Sequence, residues 1–410
     1  MIDEFRKLVT FRKIHTITPI PGADRIETAH IDGWQCVVKK GEFKEGDYGV
    51  YFEVDSAIPL GDPRFAFLEK TAREWKGKKY AVIKTMRLQK QLSQGLLLPV
   101  ATFPELTTYG LRNKPVFNFL RENRSYEELS NLRIDFSDKL LVEKYEKEET
   151  AEKFASTDNK LHDWLIKNIP RKYRKILFSF INNFYSSPKR NKGINKSTFP
   201  VFIKKTDAER IQNCFRQIKE TYKGQYWEVT VKMTGSSMTV YYNKGETSVC
   251  SRQQKRGLDD GSHFTKTAKE LGLVEKLSEY CKTNNRNLAI QGELCGPSIQ
   301  GNYEKLEGLK FFVFGIWDID RQAYVGQTER DQLLNSIDSI VLSTPYPKLD
   351  RVPYLFDITL DSFNHVEEML ALAEGKGYNI EAREGVVLRT LDGVEIVKII
   401  SNSYLLKNER

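Results

Sequence analysis

The sequence predicts an α+β protein in which a small all-β module precedes a larger domain that mixes strands with helices. Three observations carry that expectation. Short β-rich runs separated by Gly- and Asp-containing turns fill residues 14–100, Lys/Glu-rich segments of helical period follow to about 196, and from 199 onward β-rich runs alternate with helical ones. With 410 residues, 40% of them hydrophobic and 11% aromatic, the chain can bury more than one core. The densest apolar stretch, ILFSFINNFY at 176–185, is broken by two Asn and falls short of the run of about 18 residues a membrane span needs. The N-terminus, MIDEFRKLVTFRK, mixes both signs of charge and lacks the apolar core of a signal peptide, so an intracellular, cytoplasmic location is expected. Cys36, Cys214, Cys250, Cys281 and Cys295 are widely spaced without a CxxC pair, which argues against a disulfide framework or a structural zinc site.

Taken in order, the first domain spans residues 1–115. PIPGADR, IDGWQCVVKKGEFKEGDYGVYFEV and RLQKQLSQGLLLPV supply short strands with turn residues between them, which fits a compact barrel such as an OB fold. Residues 116–198 form a helical, basic connector: EKYEKEETAEKFA and LHDWLIKNI have helical period, and residues 169–196 hold eight Lys or Arg and no acid. With a formal net charge of +9, that run points to a polyanionic partner, although basic runs are also ordinary solvated surface. Residues 199–410 form the α+β domain, with ERIQNCFRQIKETY, HFTKTAKELGLVEKLSEYCKT and SFNHVEEMLALAEGKG as its helical segments. It carries no glycine-rich phosphate loop of the P-loop or dinucleotide type. Any nucleotide chemistry here needs another device.

That device is read from VTVKMTGSSMTVYY, residues 229–242, where Lys232 closes one β-rich run just before a turn at Gly235-Ser236-Ser237. A single strand lysine is ordinarily a solvated edge residue. Four further segments repeat the anomaly: SVCSRQQ with Arg252, LAIQGELCGPSIQGN with Glu293, AREGVVLRT with Glu384 and VEIVKIISNSYLL with Lys398 each set charge at the mouth of an apolar run. Burying one uncompensated ion costs roughly several kcal/mol, so this many together imply one shared polar site.

These residues resemble the motifs of the covalent nucleotidyltransferases, the superfamily of DNA ligases, RNA ligases and mRNA capping enzymes. Lys232-Met-Thr-Gly235 is similar to the nucleophile motif KxDG, Ser251-Arg252 to motif Ia, Gly292-Glu293-Leu294 to motif III, Phe311 to Gly315 to motif IIIa, Glu384 to Arg389 to motif IV and Ile396-Val-Lys398 to motif V. Within the superfamily, GELCGPSIQGN, KTDAERIQN and KIISNSYLL, behind an N-terminal module reading PIPGADRIE, DGW and LSQGLLLPV, resemble the nick-sealing RNA ligases that carry an OB domain ahead of the catalytic domain.

The resemblance implies a ligase-type catalytic domain of antiparallel sheets with flanking helices. It also implies an ATP-dependent RNA ligase that joins 3′-OH and 5′-phosphate ends through lysyl-AMP and an adenylylated 5′ end at nicks in duplexes. RNA is the implied partner of a monomer, and ATP with Mg or Mn are the implied cofactors. Lys232 is the implied nucleophile, Glu293 and Glu384 the catalytic carboxylates and metal ligands, and Lys398 a catalytic cation. Lys205, Arg210, Gln212, Val231, Gly235, Arg252 and Phe314 join Lys232, Glu293 and Lys398 as nucleotide contacts. A neutral Lys232 amine would need cationic or metal neighbours and desolvation to lower its pKa. Core packing is the competing reading for Phe314, strand-end ion pairs for the glutamates, and an ordinary helix start with Asp207 near its N-terminus for Lys205, Arg210 and Gln212. Two positions depart from the pattern: Thr234 stands where the motif has Asp, and Ile396 and Ile400 flank Lys398 where motif V has a second lysine. The alternatives are an ATP-dependent DNA ligase and a non-catalytic RNA-binding protein with a decayed ligase site.

Overall fold

The computed structural model describes residues 6–106, 126–145 and 198–408. The basic run 169–196 and LHDWLIKNI lie outside the described residues. In the N-terminal barrel, Tyr48–Phe52 is the central strand, antiparallel to both Val9–Lys13 and Leu96–Pro99. Successive side chains point to opposite faces, so Val50 and Phe52 join one apolar cluster with Phe11 and Ile58 while Tyr51 joins another with Trp34, Cys36 and Leu97. Both faces of this sheet are therefore core. Thr16–Pro19, Ile26–Ile31 and Trp34–Lys39 form a meander whose last hairpin turns at Asp32 and Gly33, with φ of 44° and 79°. An Asp-Gly pair suits that left-handed turn.

Residues 126–145, within the stretch read from the sequence as connector, pack into this first domain. The helix Tyr126–Leu132 brings Leu129, and the following residues bring Phe136, Leu140 and Val142, into the cluster around Phe11. Glu143–Lys144, the start of a segment with helical period, is a short strand on Ser56–Ala57. The free edge of that strand supplies backbone partners, and Tyr145 packs its ring 5.4 Å from Trp75, so pairing overrides the local period.

The C-terminal domain has two sheets. One runs Glu209–Arg210, Ile396–Ile400, Gly385–Thr390, Tyr226–Val231, Tyr354–Thr359. The other is seven-stranded and centred on Ser236–Asn243, Leu288–Cys295 and Lys310–Asp318. Helix Ile211–Thr221 presents Ile211, Cys214, Phe215 and Ile218, spaced i, i+3, i+4, i+7, to Trp227, Val229, Val386, Leu388, Val397 and Ile399 of the first sheet. Each such side chain contributes roughly 1.5–3 kcal/mol on burial. Helices His263–Glu270, Leu273–Asn284 and Gln327–Asp338 cover the second sheet through Phe264, Leu277, Leu333 and Ile337. With Trp227, Val229, Val397 and Ile399 turned to the helix, their neighbours Glu228, Thr230, Ile396 and Lys398 face the space between the sheets.

The two domains touch directly. Asn213 Nδ2 donates to Glu53 Oε1 at 2.9 Å, Arg133 Nη1 donates to the carbonyls of Gln212 and Asn213 at 3.2 and 3.1 Å, and Leu92 packs with Ile400 and Leu405. Among the described residues no helix is long and apolar enough to cross a membrane.

Candidate active site

A cavity of about 540 Å³ opens between the two C-terminal sheets, lined among others by Val231, Lys232, Gly235, Arg252, Glu293, Phe314 and Lys398. The segment Lys232–Gly235 is the crossing from Tyr226–Val231 to Ser236–Asn243 and so joins one sheet to the other. Lys232 still donates its N–H to the Gly385 carbonyl at 3.0 Å, which extends the ladder one residue and aims the side chain inward. Gly235 is required here because a Cβ would stand 2.3 Å from the Leu294 carbonyl oxygen.

The Lys232 Nζ lies 2.7 Å from Glu384 Oε1, with Glu293 facing the pair from strand Leu288–Cys295. Burial pulls the lysine pKa down, but the charges of Glu384 and Glu293 outweigh it and hold the amine above its ordinary value. This corrects the expectation of a lysine depressed by cationic neighbours: in the protein alone its close neighbours are carboxylates. Glu293 is pushed up to about 7, by burial first and by Glu384, against the pull of Lys232. Lys398 is pushed down to about 8 by burial together with the Arg210 and Lys232 charges.

Phe314 owes its place to a bulge. The ladder pairs Gln291 with Gly315 and Gly292 with Val313, so Phe314 has no opposite residue and is half-buried on the cavity wall while Phe311, Phe312 and Val313 are buried. Its ring is open to the cavity rather than closed in core.

The two departures from the motif pattern have structural partners. Thr234 Oγ1 donates to Glu384 Oε2 at 2.8 Å, and its N–H donates to Glu304 Oε1 at 3.2 Å. Thr234 thus orients Glu384 where an Asp would add a charge. Ile400 belongs to the interdomain cluster with Leu92 and Leu405, a place where a second lysine would be buried without a partner.

Three sequence candidates are not on the cavity wall. Lys205 is exposed, Gln212 packs its side chain beside Gly33 of the barrel, and Arg210 lays its guanidinium 5.3 Å from the Trp34 ring centroid. Arg210 nonetheless pairs in register with Lys398. The sequence reading missed Thr206, Asp207, Glu228, Glu304 and Arg389. Asp207 pairs with Arg252 at 2.8 Å, and Glu228 holds Arg330 in a two-pronged pair at 2.7 and 2.8 Å. Arg389 lines the cavity and is pushed down to about 10 by burial. Strand alternation with Thr230 and Val387 could have flagged Glu228 and Arg389. Glu304 comes from an irregular turn and gives no periodic signal.

Among the described residues no three His, Cys, Asp or Glu side chains are grouped to hold a metal by themselves. Glu293 and Glu384 offer only hard oxygen donors, and the high Glu293 pKa marks a carboxylate short of positive charge. That donor set fits Mg or Mn held by two carboxylates with phosphate and water oxygens completing the shell.

Comparison with known proteins agrees with this geometry. Residues 225–400 match the family described as RNA ligase, and residues 8–100 match an OB-fold domain. No curated protein matches the chain. A solved variant of Naegleria gruberi RNA ligase with AMP and Mn is 36% identical, covers 98% of this chain and 99% of its own, and has a TM-score of 0.70. The same organism's RNA ligase with PPi is 37% identical over 98% and 99% of the two chains, with a TM-score of 0.69. A further variant with ATP and Mn gives 36% identity, the same coverage and a TM-score of 0.70. With that identity along nearly its whole length, and with the barrel ahead of the two-sheet domain, the chain belongs to the RNA ligase family.

Proposed function

We propose that the chain is an ATP-dependent ligase that joins RNA 3′-OH and 5′-phosphate ends, at breaks held in a duplex, through a lysyl-AMP intermediate on Lys232. The observation that carries this reading is Lys232 at 2.7 Å from Glu384, facing a cavity that also presents Glu293, Phe314 and Lys398. The ATP, AMP, PPi and Mn named for the Naegleria gruberi structures support ATP with Mg or Mn.

In the first step Lys232 Nζ attacks the α-phosphorus of ATP, the bond to pyrophosphate breaks, and the amine proton leaves. The resting amine is protonated, so the hold of Glu384 and Glu293 on that proton must first be relieved. Glu293 and Glu384 would hold a divalent cation, whose charge would draw those carboxylates from Lys232 and neutralise phosphate oxygens. Thr234 keeps Glu384 oriented through the exchange. Phe314 offers a ring face for the base. Lys398 meets a phosphate as a cation, because the negative ligand raises its pKa from about 8. Next an oxygen of the 5′-phosphate attacks the AMP phosphorus and Lys232 leaves. Finally the 3′-OH attacks the 5′-phosphorus and AMP leaves. Each step is phosphoryl transfer, which asks for positioning and charge neutralisation.

The adjoining OB-fold domain and the basic excess support a nucleic-acid duplex as the partner of a single chain working where ATP is available, inside the cell. Incubation with α-labelled ATP and Mg or Mn tests the reading. Wild type forms a labelled adduct, and Lys232→Ala forms none yet still seals a pre-adenylylated nick. An adduct that persists in Lys232→Ala moves the nucleophile elsewhere, and a wild type without adduct is a non-catalytic binder. Faster sealing of nicked DNA than nicked RNA makes it a DNA-joining enzyme.

A further inference from the structure

We propose that the β-ribbon formed by Thr85–Leu88 and Gln91–Gln94 seats an A-form duplex beside the break and so favours RNA over DNA. The proposal rests on the duplex reading above and names the surface that would read it. Residues 83–94, the ribbon and its approach, contain Lys84, Arg87 and Lys90 and not one Asp or Glu, so the ribbon suits a polyanion.

The shape is as particular as the charge. Gln89 and Lys90, with φ of 47° and 67°, close the ribbon in a two-residue turn, which keeps it narrow. Lys84 and every residue from Met86 to Lys90 are exposed, including Met86 at 45% and Leu88 at 36%. Among the described residues Thr85–Leu88 pairs only with Gln91–Gln94, which leaves its outer edge without a strand partner there. An open edge strand that carries exposed apolar side chains is usually protected by something. Here Lys84 and Lys90 flank Met86 and Leu88, a pattern that meets phosphates on both sides of a band of sugars.

The ribbon is also fastened to the catalytic domain without entering the cavity. Leu92 packs against Ile400 and Leu405, and Arg87 Nη1 donates to the Leu406 carbonyl at 2.9 Å. The helix Asn402–Asn408 that receives these contacts follows the strand of Lys398, and Ser401 N–H donates to the Glu384 carbonyl at 2.9 Å. Tyr404 packs edge-on to Tyr303, 4.9 Å between centroids, and Tyr303 Oη donates to the Ala382 carbonyl at 2.6 Å. A strand lying on the ribbon is thereby held at a fixed offset from Lys232 and Glu384.

The A-form duplex is the occupant these features fit. Its minor groove is wide and shallow and displays ribose 2′-hydroxyls and sugars, whereas its major groove is too narrow for side chains. A two-stranded ribbon with apolar side chains at Met86 and Leu88 and an amide at Gln89 can lie in that minor groove. The B-form minor groove, about 6 Å wide, is too narrow for it, and the B-form major groove, which admits a ribbon, presents base edges rather than the sugars that Met86 and Leu88 would pack on.

The test uses the full chain and the double variants K84E/K90E and M86A/L88A, with binding normalised to the fraction of each protein that forms the AMP adduct. K84E/K90E should bind a nicked RNA duplex at least about tenfold more weakly, with the slope of log affinity against log salt shallower by about 2, close to one per lost phosphate contact. M86A/L88A should leave that slope unchanged and cut the preference for nicked RNA over nicked DNA several-fold. Wild-type affinity and slope in K84E/K90E overturn the proposal, as does an equal loss for single-stranded RNA and duplex. So does an RNA-to-DNA preference that M86A/L88A leaves intact. A wild type that joins single-stranded ends but not nicks overturns the duplex reading itself.

Discussion

Replacing Glu53 with Gln should shift relative stability toward the variant as the pH rises. Glu53 is buried where the barrel meets the catalytic domain, 2.9 Å from Asn213 Nδ2 and 3.3 Å from Arg6 Nε. Burial raises its pKa, Arg6 opposes this and Glu209 adds to it, leaving the folded carboxyl at about 7 against 4.5 for a free one. The folded value is the higher, so the stability it contributes is complete below about pH 4.5 and is lost as the pH rises through 7. Integrated between about pH 5 and pH 8, that loss is about 2.5 kcal/mol. Gln keeps the shape and the acceptor for Asn213 and carries no charge at any pH. The lost pairing with Arg6 lowers the stability of the variant, but the slope of the difference between the two proteins against pH reports Glu53 alone. Urea unfolding of both proteins at about pH 5 and about pH 8 measures it, and the difference should move by about 2.5 kcal/mol in favour of the variant. A pH-independent difference, or a wild type that gains on the variant toward pH 8, would refute the assignment of a strained, half-compensated carboxylate.

Three further outcomes are expected of the site. Glu293→Ala and Glu384→Ala should each lower sealing about a hundredfold or more with the fold intact, the scale of losing one positioned electrostatic group, and near-normal sealing would reduce either to a structural ion pair. Phe314→Ala should raise KM for ATP about three- to tenfold, in line with roughly 0.5–1.5 kcal/mol for one ring stack, and Phe314→Trp should restore it; an unchanged KM returns Phe314 to packing alone. Lys398 has a lowered pKa and so loses its charge above about 8 in the empty site. ATP affinity should accordingly fall as the pH climbs through 8, and Lys398→Arg, which stays charged, should flatten that fall; parallel pH profiles for the two proteins would remove Lys398 from phosphate binding.

The order of the two domains and the charged positions at strand mouths can be read along the chain. Alternation along VTVK, EGVVLR and IVK sets one face apolar and the other charged, and a charge inside such a run is visible because the strand period is two. Lys232, Glu293, Lys398 and Arg252 were legible in this way and Phe314 only through the resemblance, and the structure brings all five to one cavity with Glu384 on Lys232. Other features depend on residues far apart in the chain and emerge only when it folds. The proton held on Lys232 follows from two carboxylates, 61 and 152 positions later by subtraction, closing on one amine. The bulge that frees Phe314 exists only because the partner strand runs one residue short there. Arg210 and Gln212 share a motif with cavity residues yet turn to the barrel, because Trp34 and Gly33 pack against them. Residues 126–145 joined the first core for the same reason: a local helical period is worth little beside buried apolar contacts and an unpaired strand edge, and neither of those can be seen within a window of neighbouring residues.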